Sequence, residues 1–307
     1  MPTYRIRHVT TYRYAAPVTF GEHRLMLRPR ESHDQQTRSA WIDIVPPPAA
    51  TVWSEDPSGN LVGRASFAGR DAELRVAAEL EVQQAVIDLD AIRLQRHSLT
   101  CPFSYGAEEM AELARFIERQ HPDPEHVLDR WAWSILGEDP ERDTLAFLRR
   151  LTARIRGDFS YRRRLQKGIQ DPLRTLRLGT GSCRDFAVLM AEAVRAVGLA
   201  ARFASGYLYM AEPEPEEAGM GGHTHAWLQV YLPGAGWVDF DPTSGSVGNA
   251  NLVRVALVRD PDHAAPLSGS FFGQPGDFLE MTVSVCVTRV DQSEAGFEPD
   301  LAQAQAA

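Results

Sequence analysis

The sequence predicts an α+β fold: a β-rich, sandwich-like N-terminal domain, then a run of helices followed by further strands. Three observations predict it. Tyr4, Ile6, His8, Thr10, Tyr12 and Tyr14 alternate with mostly basic or polar neighbours at period two, the pattern of a half-buried strand. Between residues 105 and 157 the apolar spacing changes to the three-and-four rhythm of helices. Strand patterns then return beyond residue 200, with Pro233-Gly234-Ala235-Gly236 as a turn between two of them.

In order along the chain, Leu25 and Leu27 share one strand face, and Trp41 to Val45 is a short strand closed by Pro46-Pro47-Pro48. Asp56-Pro57-Ser58-Gly59-Asn60 is a turn. Leu74 to Val76 and Leu80 to Val82 continue the β pattern, so residues 1–88 form the first domain. Three apolar stripes follow: Met110, Leu113, Phe116 and Ile117; Val127, Trp131 and Ile135; Leu145, Leu148, Leu151 and Ile155. A further helix carries Phe186, Leu189, Met190, Val194 and Val197 inward and stops at Gly198, a residue suited to a C-cap. Phe203 to Met210 is a strand, Ala211 to Gly222 an acidic, Gly-rich loop expected to rim a cleft, and 225–243 a hairpin. Two more strands, Leu252 to Val258 and Met281 to Val290, complete a second domain over 89–293, and 294–307 is a polar, flexible tail.

Composition narrows the function classes. With 32 Lys and Arg against 41 Asp and Glu the net charge is −9, which argues against non-specific nucleic-acid binding. Arg162-Arg163-Arg164 reads as a solvated turn. No apolar leader opens the chain, and no stretch approaches the ~18 apolar residues of a membrane span. Three scattered cysteines fit a reducing compartment rather than a disulfide framework. The expectation is a cytoplasmic protein with no membrane or nucleic-acid partner; self-association stays open.

The chemistry concentrates around Cys183. Gly179 and Gly181 let the backbone turn tightly, and the cysteine falls at the start of the following helix. Unpaired N–H groups and the positive end of the helix dipole favour a thiolate there. His225 and Asp241 follow on strand patterns, supplying in chain order a nucleophile, a base and a group to orient the base. The Cys183 N–H is a candidate oxyanion donor, and a second donor is not identifiable. Asp185 reads as a helix cap. Asp239 and His223 are the local competitors for Asp241 and His225.

Gly181-Ser-Cys-Arg-Asp-Phe-Ala187, His225-Ala-Trp-Leu-Gln-Val-Tyr-Leu-Pro233 and Gly236-Trp-Val-Asp-Phe-Asp-Pro-Thr243 resemble the three motif blocks of the bacterial transglutaminase-like superfamily. Arg7 to Tyr14, Leu27-Arg-Pro-Arg30 and Asp56 to Asn60 resemble the β-rich region that precedes the core in one bacterial branch, often described as cysteine proteases. The resemblance implies a papain-like core of helices on an antiparallel sheet, and a Cys183-His225-Asp241 triad. Tyr161 matches a recurrent aromatic of the family; it and Trp227 are the candidate substrate-binding residues. The spacing to Trp237 favours Asp241 over Asp239, and the flanking sequence favours His225 over His223. Gln229 departs from the pattern, standing where relatives carry an acid, and residues 257–263 follow it only loosely.

The implied activity is acyl transfer at amide bonds of peptides or proteins, by peptidase, amidase or transglutaminase chemistry through a thioester. No cofactor is called for, and no loop has the ligand spacing of a calcium site. Two other readings stand beside it: a catalytically silent protein-binding module, and a zinc site built on His223, His225, Cys183 and a carboxylate.

Overall fold

In the computed structural model the described residues are 1–87, 92–164, 168–211 and 222–290. The N-terminal half contains β1 (Thr3–Leu25), β2 (Gln35–Val45), β3 (Ala50–Glu55), β4 (Leu61–Ser66) and β5 (Asp71–Gln84). The alternation read from Tyr4 onward is real: Tyr4, Ile6, His8 and Thr10 are buried, with more exposed residues between them. β1 is long enough to serve two sheets. Its first half pairs with β5, and its last residues pair with β4. One apolar cluster draws on both parts, joining Tyr4, Ile6 and Leu80 to Leu25 and Val62. The sandwich-like expectation rests on this sharing of β1.

The second half begins with α1 (Ala107–Ile117), α2 (Val127–Gly137) and α3 (Thr144–Asp158). The third predicted stripe is fully or largely buried, whereas Met110 of the first lies outward, 38% exposed, leaving Leu113 and Phe116 to anchor α1. Next come β6 (Ser160–Tyr161), α4 (Pro172–Leu178), β7 (Thr180–Gly181) and α5 (Cys183–Ala196). Then follow β8 (Ala201–Tyr209), β9 (Gly222–Leu232), β10 (Gly236–Asp241), β11 (Ser246–Val247) and β12 (Leu252–Val258). The last five form one antiparallel sheet in the order β11-β10-β9-β8-β12. Leu228, Val230, Val238 and Phe240 pack with Phe186, Leu189, Met190 and Val194, so α5 lies against the middle of that sheet.

The chain end corrects the predicted domain division. β13 (Leu267–Phe272) and β14 (Phe278–Val290) do not extend the second domain. Both pair antiparallel with β1, β14 from Thr3↔Val290 to Tyr14↔Phe278. Val285 and Val287 join the cluster of Tyr4 and Ile6. The physical reason is that β1 would otherwise leave a row of unpaired backbone groups. A period-two pattern says that a segment is a strand, not which sheet it joins. Loop 211–222 falls almost wholly outside the described residues, as do the tail and the boundary at residue 88.

The two halves meet through buried polar contacts. Gln35 Nε2 donates to the Arg254 carbonyl at 2.8 Å, and its Oε1 accepts from the Arg254 N–H at 2.8 Å. Asn60 makes the same two-way contact with the backbone of Leu257. Arg254 donates to Asp34 at 2.5 Å and to Asp239 at 3.2 Å, tying the N-terminal half to β10.

Candidate active site

Cys183 is the first residue of α5, and Ser182 is its N-cap. Asp185 builds the turn. Its Oδ2 accepts from the Ser182 N–H and hydroxyl, both at 2.8 Å, satisfying donors at the helix start. Its Oδ1 accepts from Arg164 at 2.7 Å and from the Gln170 N–H at 2.6 Å. Asp185 therefore caps the helix and also pins the preceding loop. Arg164 corrects the reading of the basic run as merely solvated: its guanidinium pairs with a fully buried carboxylate. Gly179 has φ 60°, the left-handed conformation that ends α4, and Gly181 serves close approach. A Cβ at Gly181 would lie 2.9 Å from that of Asp185 and 3.1 Å from the Phe186 ring.

His225 is supplied by β9 opposite Gly206 of β8. That glycine is required, since a Cβ there would stand 1.9 Å from the Val253 carbonyl oxygen. β12 crosses here with a bulge between Arg254 and Ala256. His225 Nε2 lies 2.9 Å from Asp241 Oδ2, and both side chains are buried. Asp241 Oδ2 also accepts from the Ser244 hydroxyl at 2.6 Å, and Oδ1 from the Thr243 N–H at 2.9 Å. Ser244 was not singled out in the sequence, although its place three residues after the acid was visible. The Cys183 thiol is the other group that interacts with the buried imidazole, by hydrogen bond and charge.

The electrostatics follow from this geometry. Burial alone would lower His225, but the Asp241 charge and hydrogen bond, with Cys183, push it up to about 10. Burial would raise Asp241; the His225 cation and hydrogen bonds from His225, Ser244 and Thr243 hold it below the usual carboxylate range. Burial would also raise Cys183, yet the His225 hydrogen bond and charge, and the Ala226 N–H, bring its thiol below the ordinary value. The arrangement favours a thiolate beside an imidazolium.

Asp239 has a different neighbourhood. It accepts from Trp227 Nε1 at 2.7 Å, Gln229 Nε2 at 2.9 Å and Arg254 at 3.2 Å, and the structure gives His225 to Asp241. The His223 ring meets His225 edge to face at 5.5 Å. Among the described residues no three His, Cys, Asp or Glu side chains converge as a metal cage.

Trp227 requires a correction. It is 0% exposed, so no substrate reaches it. Its ring lies 18° from parallel to the His225 ring at 6.1 Å, and its N–H is held by Asp239, so it supports the histidine from within. Tyr161 is 48% exposed and pairs with Gly181 across the short β6–β7 ladder, two residues from the thiol.

Comparison with known proteins places the region that holds these residues. The family model of the transglutaminase-like superfamily matches residues 134–242, a span that includes Cys183, His225 and Asp241. Residues 134–242 belong to the transglutaminase-like superfamily. Residues 4–83 of this transglutaminase-like chain match a second model, the bacterial transglutaminase-like N-terminal region. An uncharacterized protein of Mycobacterium tuberculosis is 29% identical over 297 residues, 92% of each chain. Another, from Mycobacterium leprae, is 24% identical over 287 residues, 92% of this chain and 97% of its own. A crystal structure from Cytophaga hutchinsonii, described as a candidate cysteine protease, superposes with a TM-score of 0.70 at 20% identity, covering 97% of this chain and 93% of that one. That likeness is one of fold.

Proposed function

We propose that this transglutaminase-like protein is a cysteine-dependent enzyme that transfers acyl groups from amide bonds of peptides or proteins. The supporting observation is the buried 2.9 Å contact between His225 Nε2 and Asp241, with the Cys183 thiol as the neighbour left to the imidazole. The Cys183 thiolate attacks the amide carbonyl. As the C–N bond breaks, the His225 imidazolium gives its proton to the departing amine. A thioester on Cys183 remains. Water, or an amine, then attacks it while His225 takes the incoming proton, and the thiolate leaves. Asp241 fixes the ring orientation and the tautomer throughout. The Cys183 N–H, at a helix position without an intrahelical acceptor, faces the developing oxyanion.

Capture of the thioester tests this reading. A mixed peptide pool incubated with the protein and hydroxylamine should yield peptide hydroxamates, and Cys183→Ala should yield none. Hydroxamates formed equally by Cys183→Ala would sink the assignment, as would their absence with the wild-type protein over a wide range of peptides.

A further inference from the structure

A second site lies at the other end of the same sheet. A cavity of about 600 Å³ opens between α1, the Pro57-Ser58 turn of the N-terminal half and the strand ends that carry Arg202, Trp237 and Leu257. Arg202 is four residues from Gly206 on β8, and Gln229 is four from His225 on β9, which separates cavity and histidine by about 13 Å along the strands. The mechanism proposed for Cys183 makes no use of it.

One cation of the lining, Arg202, is held by neutral groups. The Arg202 guanidinium lies 4.1 Å over the Trp237 ring, and its Nε and Nη2 both donate to the neutral Gln229 Oε1, at 2.9 and 2.7 Å. Among the described residues Arg202 has no ion-pair partner. The nearby acid, Asp239, already accepts from Arg254, Trp227 and Gln229. A second cation stands behind the floor: Arg30 donates to the carbonyl of Ser58, which lines the cavity. Burial, then repulsion from Arg30, push Arg202 down to about 9 despite Asp239. A desolvated guanidinium bonded only to a neutral amide is costly, and a bound anion relieves that cost. The rest of the lining is mixed: Leu113, Phe116, Trp237 and Leu257 are apolar, Glu112 is acidic, and a second lining guanidinium, Arg115, lies 4.6 Å over the Phe116 ring. An anion-binding guanidinium beside apolar side chains suits a carboxylate on an apolar body, and the lining carboxylate of Glu112 and a net charge of −9 disfavour a dianion.

We infer that this cavity binds a carboxylate carried on an apolar group, such as the C-terminus of a peptide ending in a large hydrophobic residue, with Arg202 gripping the carboxylate and Trp237 and Leu113 the side chain. The site works independently of the chemistry at Cys183, so its test uses full-length Cys183→Ala protein. Calorimetric titration would compare N-acetyl-leucine, N-acetyl-phenylalanine and N-acetyl-tryptophan with their uncharged amides, with acetate and with inorganic phosphate. At least one acid should bind saturably, at least ~10-fold more tightly than its amide and than acetate or phosphate. Arg202→Gln should erase the preference for acid over amide. Ala114→Trp, a change on the exposed side of α1 that places an indole in the cavity and keeps Arg202 itself, should remove binding, and keeps the test decisive if Arg202→Gln fails to fold. Equal binding of acid and amide, binding unchanged by Ala114→Trp, no binding by any acid, or phosphate binding as tightly as the acids would each overturn the inference.

Discussion

His8 and His225 face adjacent residues of β8, and burial has opposite outcomes for them. His8 of β1 lies 2.9 Å from the Tyr207 hydroxyl and 3.2 Å from that of Thr10; His225 stands opposite Gly206 and bonds Asp241. Both are almost fully buried. With only neutral partners, burial lowers His8 to about 4. With a carboxylate partner, the same burial is overcome and His225 rises to about 10. Burial thus fixes neither charge state. The partner decides, and only the histidine with a carboxylate can hold a proton ready for a leaving group at neutral pH.

The strongest way to break the contrast is to make His225 resemble His8. Asp241→Asn should leave a neutral imidazole and cut turnover by roughly 10³–10⁴-fold, as loss of an orienting carboxylate does elsewhere. A loss below about 10-fold in steady-state assays would show that Asp241 does not orient the base. Trp227→Ala removes the ring beneath His225, leaves a cavity and takes one of three donors from Asp239; it should cost about 3–5 kcal/mol in urea unfolding, with Trp227→Phe milder. If Trp227→Ala instead left stability intact and only weakened substrate binding, the buried placement of this side chain would be wrong.

The pair itself should leave a pH signature. His225 is raised, so its contribution to stability is full below 6.5 and fades as pH climbs through about 10. Asp241 is lowered, so its contribution is full above 3.8 and fades as acid protonates it. His8 acts in reverse: the unfolded chain takes up a proton below 6.5 while the folded one resists until about 4, so stability drops across that window. His8→Gln should reduce that acid-side drop by about 3 kcal/mol, seen in unfolding curves between pH 4 and 7. An unchanged slope would show that His8 is not buried neutral. The smallest effect belongs to the exposed Tyr161. Tyr161→Ala should raise KM a few-fold with kcat nearly constant.

Much of this was legible in the sequence, for physical reasons. Cys183 announced itself by its helix start, close glycines and cap, whereas His225 and Asp241 were chosen over His223 and Asp239 by their resemblance to the family blocks, with Pro242 marking a strand end. The alternation in β1 was equally local. Hidden were relations made by distant pairing. β14 joins β1 across almost the whole chain, and nothing in its own pattern names that partner. Trp227 was misread because an aromatic beside a histidine looks the same whether it lines a cleft or supports the ring; its depth comes from β10 supplying Asp239 to its N–H. Ser244 and Arg164 act only through the folds of their loops onto Asp241 and Asp185.

The most direct measurement is site-resolved alkylation of the native protein with limiting iodoacetamide from about pH 5 to 9, against an ordinary thiol value of about 8.5. Cys101 is an internal control, buried and pushed up to about 12. The account predicts that Cys183 alone reacts near pH 6, and that His225→Ala or Asp241→Asn moves its reaction toward the ordinary range. Cys183 reacting no earlier than Cys286, or at the same pH in the variants, would contradict a thiolate held by His225 and Asp241.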